Sequence, residues 1–228
     1  MTPSLEIPDG EVARIGRMLI PERQLRERGV SPVAGVDEAG RGPLAGPVVA
    51  AAVIFPDDIF IPFVHDSKKL TPDRREALFT VIHEKARAVS VGIVSSGVID
   101  AINILQATYR AMRRAVSGLR IMPSHVLVDG RDGPDFGCGF TPLIRGDRIC
   151  FSIAAASIVA KVTRDRIMAD YDRQYPAYGF ARHKGYGTRD HVAAIRKHGP
   201  CPIHRRSFYA GGWQDKKDDS TIEIQESK

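Results

Sequence analysis

The chain has 228 residues, of which 43% are hydrophobic and 26% are charged, and its formal net charge is +6. This is the composition of a folded globular protein, and the apolar runs are far shorter than the roughly 18 residues that a membrane span needs. The positive charge favours a polyanionic partner such as nucleic acid, although a modest excess also fits an ordinary soluble surface.

The three cysteines, Cys138, Cys150 and Cys201, are widely spaced and give no disulfide framework, which fits a reducing compartment. The first ten residues are acidic and contain two prolines, so they do not have the pattern of a signal peptide. We therefore predict a cytoplasmic protein without membrane attachment.

The first thirty residues are predicted to form a helical extension. Residues 11–29 alternate arginines and glutamates with aliphatic residues, and Pro21 interrupts this pattern. The core begins with a short strand at Val33–Asp37, followed by a glycine-rich loop over 39–47 in which the backbone must turn tightly. Val48–Phe55 is a continuous apolar run, typical of a strand buried on both faces.

Helices and strands alternate along the rest of the chain, which predicts an α/β fold with a mixed sheet. The predicted elements are a helix from Thr71 to about Arg87, a strand at Val89–Val94, a helix at Ile99–Val116, strands at Val126–Asp129 and Phe140–Ile144, and helices at Phe151–Tyr171 and Thr188–His198. The main domain is predicted to span 31–209. The polar, charged end of the chain predicts a disordered tail over 210–228.

Acidic residues stand at the ends of two buried strands. Asp37 and Glu38 lead into the glycine-rich loop, and Asp129 ends a second apolar strand. Neighbouring residues in a regular strand point to opposite faces, so Asp37 and Glu38 are expected to converge only if the pleat breaks there. Asp147 lies just ahead of the long helix. Two alternatives remain open: Asp147 as a helix N-cap, and Asp129 as the first residue of an Asp-Gly turn.

Clustered carboxylates without thiolate or imidazole partners suit hard cations such as Mg²⁺ and Mn²⁺. Two such ions can bind both the attacking water and the leaving oxygen of an in-line displacement at phosphorus. Four acids in a basic protein therefore suggest hydrolysis of a phosphodiester.

Six short motifs together carry a resemblance to the ribonuclease HII family, and they cover residues 33–208. They are VDEAGRGP at 36–43, DSKKL at 66–70, VDG at 128–130, ASIVAKV at 156–162 with Arg164 and Asp165, HKGYGT at 183–188, and PIHRRSF at 202–208. The resemblance implies a ribonuclease H-like fold, in which helices flank a central mixed sheet and a helical C-terminal portion follows.

The resemblance also implies the chemistry and the substrate. Asp37, Glu38, Asp129 and Asp147 would coordinate Mg²⁺ or Mn²⁺, with two ions when substrate is bound. The substrate would be an RNA–DNA hybrid or duplex DNA containing ribonucleotides, down to a single one. The cut would fall on the 5′ side of the ribonucleotide and leave a 3′-hydroxyl and a 5′-phosphate.

By the same resemblance, Gly40, Arg41 and Gly42 would read the 2′-hydroxyl through close backbone approach. Tyr186 would pack on the following deoxyribose, where a 2′-hydroxyl would clash; the alternative is an ordinary half-buried ring. Lys69, Lys161 and Arg164 are candidates for phosphate contacts, and each could equally be a solvated surface charge. Asp165 is a rival to Asp147 as a ligand, but we interpret it as an ion-pair or capping partner.

Two alternative functions are a nuclease of the same broad fold, such as a DNA junction resolvase, and a non-catalytic hybrid-binding module. The second fits poorly, because carboxylates repel phosphates unless metal lies between them. A zinc site from His198, Cys201 and His204 is set aside in favour of a structural segment. We expect a monomer.

Overall fold

A computed structural model describes residues 7–208 and contains a five-stranded mixed sheet. Along the sheet the strands lie in the order β3-β2-β1-β4-β5. Strand β1 is antiparallel to β2 and parallel to β4, while β2 is antiparallel to β3 and β4 is parallel to β5. The strands are β1 at Val33–Ala39, β2 at Val48–Ile54, β3 at Ala88–Val94, β4 at His125–Asp129 and β5 at Gly139–Leu143.

Helices cover both faces of this sheet and form the C-terminal part of the described chain. They are α1 at Asp9–Met18, α2 at Ile20–Glu27, α3 at Pro72–Lys85, α4 at Ser96–Ser117, α5 at Gly146–Ile149, α6 at Phe151–Gln174, α7 at Phe180–His183 and α8 at Arg189–His198. Short 3-10 turns lie at Ser67–Lys69, Pro176–Tyr178 and Arg206–Phe208. The predicted α/β class, mixed sheet and helical C-terminal portion are confirmed.

The core has two apolar layers, one on each side of the sheet. Helix α6 packs on one face against alternate residues of β2, and α4 packs on the other face. Both helices approach the backbone of a strand closely. A Cβ on Gly35 would lie 2.3 Å from the carbonyl carbon of Ser152 in α6, and one on Gly92 would lie 2.0 Å from the carbonyl oxygen of Ala111 in α4. Glycine is required at both positions so that helix and sheet can pack without a gap.

Most predicted elements have the bounds that their end signals indicated. The hydroxyl of Thr71 accepts a hydrogen bond from the Arg74 amide and so caps α3, and Gly118 ends α4. The larger differences are that β1 continues to Ala39, α3 ends at Lys85 rather than about Arg87, α4 begins at Ser96 rather than Ile99, and α6 continues to Gln174. The chain also departs from helical geometry inside α4, at Asn103, which no sequence pattern had indicated.

The N-terminal segment forms two helices that break at Leu19, and Pro21 lies in the first turn of the second. Proline is tolerated there because the first-turn amides have no intrahelical acceptor. The boundary of an extension at residue 30 remains a prediction. The predicted disordered tail over 210–228 lies outside the described residues. Within residues 7–208, no helix is both long and apolar enough to cross a membrane.

Candidate active site

The parallel pairing of β1 with β4 brings two of the four acids together. The register pairs Val36 with Val128, so the next residue of each strand, Asp37 and Asp129, lies at the same edge of the sheet. Paired positions in neighbouring strands put their side chains on the same face. Asp37 is only 5% exposed, which is unusual for a carboxylate without a cationic partner.

The expected break of the pleat at Asp37 and Glu38 is wrong. Strand β1 stays paired with β2 through Asp37–Ala51, Glu38–Ala50 and Ala39–Val49. The two acids therefore leave an unbroken strand on opposite faces. The charge of Asp129 nevertheless raises the pKa of both Asp37 and Glu38, so it acts on both carboxylates from the strand end.

The fourth acid, Asp147, enters from the short helix α5, where it occupies the first turn and is 8% exposed. The amide of Gly146 donates a 2.6 Å hydrogen bond to Oδ1 of Asp129, which ties the start of α5 to the end of β4. The N-cap alternative for Asp147 is wrong, because the residue preceding α5 is Arg145 and the one preceding α6 is Cys150.

A buried glutamate from the N-terminal helices caps the long helix immediately after this acid. Oε1 of Glu22 accepts hydrogen bonds of 2.8 Å from both the amide and the hydroxyl of Ser152, in the first turn of α6. A carboxylate is favourable at a helix N-terminus, where unpaired amides and the helix dipole are positive. Glu22 was not anticipated, because a cap that is 130 residues away in the chain leaves no local sequence signal.

Burial and mutual repulsion hold the acids in an electrostatically unfavourable state. Burial, followed by the charges of Glu38 and Asp129, raises the pKa of Asp37 well above its ordinary value. Burial also raises the pKa of Glu38, although Arg41 at 3.4 Å opposes the shift. For Asp147, burial and then the charges of Asp66 and Asp129 raise the pKa. The raised pKa values indicate that the nearby cations do not offset the burial and mutual repulsion of these acids.

The carboxylates do not form a closed set of ligands. In the part of the chain that the structure describes, no three His, Cys, Asp or Glu side chains are arranged ready to hold a metal ion. Their oxygens are turned instead to protein donors: Asp37 accepts from the Glu38 amide at 2.7 Å, Asp129 from the Gly146 amide, and Glu38 pairs with Arg41. An all-oxygen donor set with raised pKa values fits hard divalent cations, which would remove the repulsion.

The glycine-rich loop and Tyr186 lie beside each other, as the resemblance implied. A Cβ added to Gly42 would come within 3.9 Å of the Tyr186 ring, and the amide of Leu44 donates to the carbonyl of Gly185 at 2.8 Å. Gly42 is exposed, and the Tyr186 side chain is 46% exposed, so both surfaces are open to a ligand. Gly40 is buried with φ +94°, a conformation that favours glycine.

Two fully buried arginines hold this loop in place by donating hydrogen bonds to backbone carbonyls. Arg205 donates to the carbonyls of Gly40 at 2.6 Å, Arg41 at 2.8 Å and Gly46 at 3.0 Å. Arg164 donates to three more carbonyls, those of Pro47, Ala45 and Lys184, at 3.0 to 3.1 Å. The predicted phosphate contact of Arg164 is therefore wrong: its guanidinium is 1% exposed and joins the loop to the segment that carries Tyr186.

Comparison with known proteins identifies the family of this site. A model of the ribonuclease HII family matches residues 34–210. The chain belongs to the ribonuclease HII family. A ribonuclease HII of Acetivibrio thermocellus is 54% identical over 198 residues, 87% of this chain and 77% of that protein. Another, of Geobacillus thermodenitrificans, is 58% identical over 189 residues, 82% of this chain and 72% of that protein.

Solved structures show the same fold. Ribonuclease H2 from Pyrococcus horikoshii has a TM-score of 0.63 and 31% identity, covering 77% of this chain and 92% of that one. Ribonuclease HII of Archaeoglobus fulgidus, solved in complex with PCNA, has a TM-score of 0.63 and 26% identity over 76% of this chain and 92% of that one. A ribonuclease HIII solved with Mn²⁺ shares the fold at 18% identity, with a TM-score of 0.53, over 73% and 62% of the two chains.

The predicted resemblance, fold and enzyme class are confirmed by these comparisons. The chain is a nuclease of the ribonuclease H type, and its family supports cleavage of the RNA strand of RNA–DNA hybrids. The alternative of a non-catalytic binding module is excluded by the same comparisons.

The lysines near the site differ from expectation. Lys161 is bound to Asp165 at 2.6 Å, which confirms Asp165 as an ion-pair partner, and burial lowers the pKa of Lys161. Lys69 is exposed, but it is its neighbour Lys68 whose charge lowers the pKa of both Glu38 and Asp147. Lys68 was therefore missed. The repeated lysine in the DSKKL motif was the only signal, and it does not say which of the two faces the acids.

His204, one of the residues that suggested zinc, forms a buried hydrogen-bonded chain with His191 that supports Tyr186. The amide of Cys201 donates to Nδ1 of His204 at 2.9 Å, so the proton of His204 is on Nε2. That proton is donated to Nε2 of His191 at 3.0 Å, and Nδ1–H of His191 in turn donates to the Tyr186 carbonyl at 2.9 Å. Burial lowers the pKa of each histidine to about 4, so both are neutral at pH 7. His198 is exposed and takes no part.

Proposed function

We propose that the chain is an endonuclease that cuts on the 5′ side of a ribonucleotide in an RNA–DNA hybrid or in duplex DNA, including a single embedded ribonucleotide. The products are a 3′-hydroxyl and a 5′-phosphate. The carrying observation is the set of four repelling carboxylates at the ends of β1, β4 and the start of α5, next to the loop that contacts Tyr186. Such a cut is the first step in excising ribonucleotides from DNA.

Asp37, Glu38, Asp129 and Asp147 are the residues that would hold two divalent ions, Mg²⁺ or Mn²⁺. When bound, these ions supply activation of the attacking water and stabilisation of the leaving 3′-oxygen. The protein's part is to hold the carboxylates: the sheet fixes Asp37 and Asp129, and the Gly146 hydrogen bond fixes α5 against Asp129. Lys68 and Arg41 contribute positive charge where a phosphate would enter.

Recognition of the ribonucleotide is proposed to come from the backbone of the glycine-rich loop. The carbonyls of Gly40 and Arg41 are turned inward to Arg205. The C=O and N–H of a planar trans peptide point in opposite directions, so the amides of Arg41 and Gly42 point outward. Outward amides that are flanked by glycines can bind a 2′-hydroxyl, the group that DNA lacks.

Tyr186 is proposed to select the deoxyribonucleotide that follows. Its half-exposed ring stands across from Gly42, and its carbonyl is held by His191. A sugar packed on the ring has room for a 2′-hydrogen but not for a 2′-hydroxyl. The loop and the ring together would require ribose on one side and deoxyribose on the other, which defines the junction.

A cleavage assay on four 5′-labelled duplexes tests this function: one embedded ribonucleotide, four consecutive ribonucleotides, an RNA–DNA hybrid, and DNA alone. With Mg²⁺ we expect a single cut 5′ to the last ribonucleotide in the two duplexes that contain a ribonucleotide–deoxyribonucleotide junction, with a 3′-hydroxyl that a polymerase can extend. The RNA–DNA hybrid, which lacks this junction, should be cut more slowly, and EDTA should abolish all product. Cleavage of the DNA duplex would indicate a junction resolvase instead. A cut on the 3′ side would reject the proposed roles of the loop and Tyr186.

A further inference from the structure

A basic cleft lies beside the active site, between α1 and the segment that leads into the first turn of α3. Its volume is about 160 Å³, and its lining includes Arg14, Phe63, His65, Lys69 and Arg74. We propose that this cleft binds a backbone phosphate of the substrate duplex. The proposal rests on the proposed function, because it requires a nucleic-acid duplex at the carboxylates.

The charge of the cleft is unbalanced. Glu11, which also lines it, is occupied by Arg14 through hydrogen bonds of 2.6 and 2.8 Å and by the amide of Phe63 at 2.5 Å. Lys69 and Arg74 are exposed, and neither has a salt-bridge partner among residues 7–208. Two uncompensated cations at the mouth of a small cavity attract an anion.

Two of the cationic groups, those of Arg14 and Arg74, are held in place before any ligand arrives. The guanidinium of Arg74 lies 4.3 Å from the centre of the Phe63 ring, a cation–π contact. Phe63 has φ +67°, which is costly for a bulky residue, and the hydrogen bond that its backbone amide donates to Oε1 of Glu11 holds it there. Arg14 is fixed by Glu11 and by the carbonyl of Val64 at 2.8 Å. Preorganised donors lower the entropic cost of binding.

His65, which lines the cleft, has a buried ring nitrogen without a hydrogen-bond partner among the described residues. Nδ1 of His65 is inaccessible to solvent and has no hydrogen-bond partner in residues 7–208. Buried polar groups are almost always paired, so an unpaired one calls for an explanation. Burial and the charges of Arg14 and Lys69 lower the pKa of His65, which keeps the ring neutral. If the ring rotates to bring Nδ1 into the cleft, a neutral imidazole can donate its Nδ1 proton to a phosphate oxygen.

The cleft is within reach of the same duplex as the active site. The 3-10 turn Ser67–Lys69 separates them: Lys68 acts on Glu38 and Asp147, while His65 and Lys69 line the cleft. The Cα atoms of His65 and Lys68, three residues apart, are at most about 11 Å from each other. A duplex carries one phosphate per about 1.7 Å of its axis, so phosphates on either strand can lie over both sites.

The decisive experiment compares a cleft double variant, Lys69→Ala with Arg74→Ala, with a charge-matched control, Lys85→Ala with Arg87→Ala. Lys85 lies at the far end of α3, about 20 Å from the cleft end. For the single-ribonucleotide duplex we expect the cleft variant to raise KM about tenfold, to leave kcat unchanged, and to lower the slope of log KM against log salt by about 1 to 2. Unfolding midpoints should match wild type, since both side chains of the cleft pair are exposed.

A second measurement follows the His65 ring by NMR as inorganic phosphate is added. We expect saturable shifts of the ring signals in wild type, none in the cleft variant, and displacement of phosphate by catalytically inert duplex DNA. If phosphate binds but duplex does not displace it, the cleft takes a free anion and the proposal is wrong. Equal KM and salt slope in the two double variants would also overturn it. Neither result would affect the proposed cleavage, which the wild-type product map decides.

Discussion

Two sets of buried charges lie next to the glycine-rich loop, and the protein treats them in opposite ways. Arg164 and Arg205 are 1% and 0% exposed, and each donates to three backbone carbonyls. Asp37 is 5% exposed and accepts one amide, while Glu38 and Asp129 add to its repulsion. One set is saturated by neutral partners from the chain itself, and the other lacks positive charge.

The difference separates a structural charge from a binding site. Burying a charge is tolerable only when partners replace the lost water, and Arg164 and Arg205 have such partners. Their N–H groups require no ligand, and the two side chains hold the glycine-rich loop against the core. The carboxylates gain full compensation only from an external cation, so we assign binding to them.

The largest effect is expected for Asp37→Asn. Removing one carboxylate should lower Mg²⁺-dependent cleavage about 10³-fold or more, since ion binding contributes several kcal/mol to transition-state stabilisation. Hybrid affinity should stay within about threefold of wild type, because phosphate contacts dominate affinity. Cleavage of a ribonucleotide-containing duplex and a binding titration measure the two quantities. The exposed Asp170→Asn is the matched control, and equal activity of both variants would remove Asp37 from the site.

A large loss of stability is expected for Arg205→Met. Three buried carbonyls would lose their hydrogen-bond donor, and each unsatisfied carbonyl lowers the free energy of unfolding by about 1–3 kcal/mol. This loss is offset in part because folding no longer has to bury a charge. We expect a net loss of about 3 kcal/mol in the free energy of unfolding, measured by urea denaturation. The neighbouring Arg206 is exposed, and Arg206→Met should change it by less than about 0.5 kcal/mol. Similar losses in both would mean that Arg205 does not clamp the loop.

Substitution of Tyr186 should change selectivity rather than stability. Loss of sugar packing in Tyr186→Ala should reduce the preference for a ribonucleotide–deoxyribonucleotide junction over continuous hybrid by about 10–100-fold, the range for stacking contacts. The ratio of kcat/KM values on the two substrates gives this preference. Tyr186→Phe keeps the ring and should keep the preference. A preference that survives in the alanine variant would assign junction reading to the loop alone.

The smallest effect is a pH dependence of stability in EDTA. The pKa of Asp37 is raised in the folded state, so folding is penalised only where the unfolded carboxyl is ionised. Wild type should therefore lose stability relative to Asp37→Asn as pH rises from about 4 through the raised pKa. Urea unfolding at pH 4 and pH 8 measures the difference in the free energy of unfolding between Asp37→Asn and wild type. This difference should be larger at pH 8 and should shrink when Mg²⁺ is added. A constant difference would mean that Asp37 is not electrostatically penalised.

Sequence reasoning succeeded where the signal is local. The cap at Thr71, the stop at Gly118 and the apolar run of β2 each depend on a few neighbouring residues, and the structure places each as expected. Motif resemblance brought together Gly42 and Tyr186 correctly. It misjudged Arg164, because a cation in a nucleic-acid enzyme suggests phosphate, while its three carbonyl acceptors come from distant segments.

The α/β class, the family and the types of residue available for chemistry could be predicted before folding is considered, since they follow from periodicity and from contiguous motifs. Which charges are satisfied could be seen only in the folded chain. The parallel register of β1 and β4 places Asp37 beside Asp129, and folding brings Glu22 to the start of α6. The burial of a charged side chain and the partners that replace its water depend on which segments fold together, whatever their order in the chain. The function of such a side chain therefore depends on the fold.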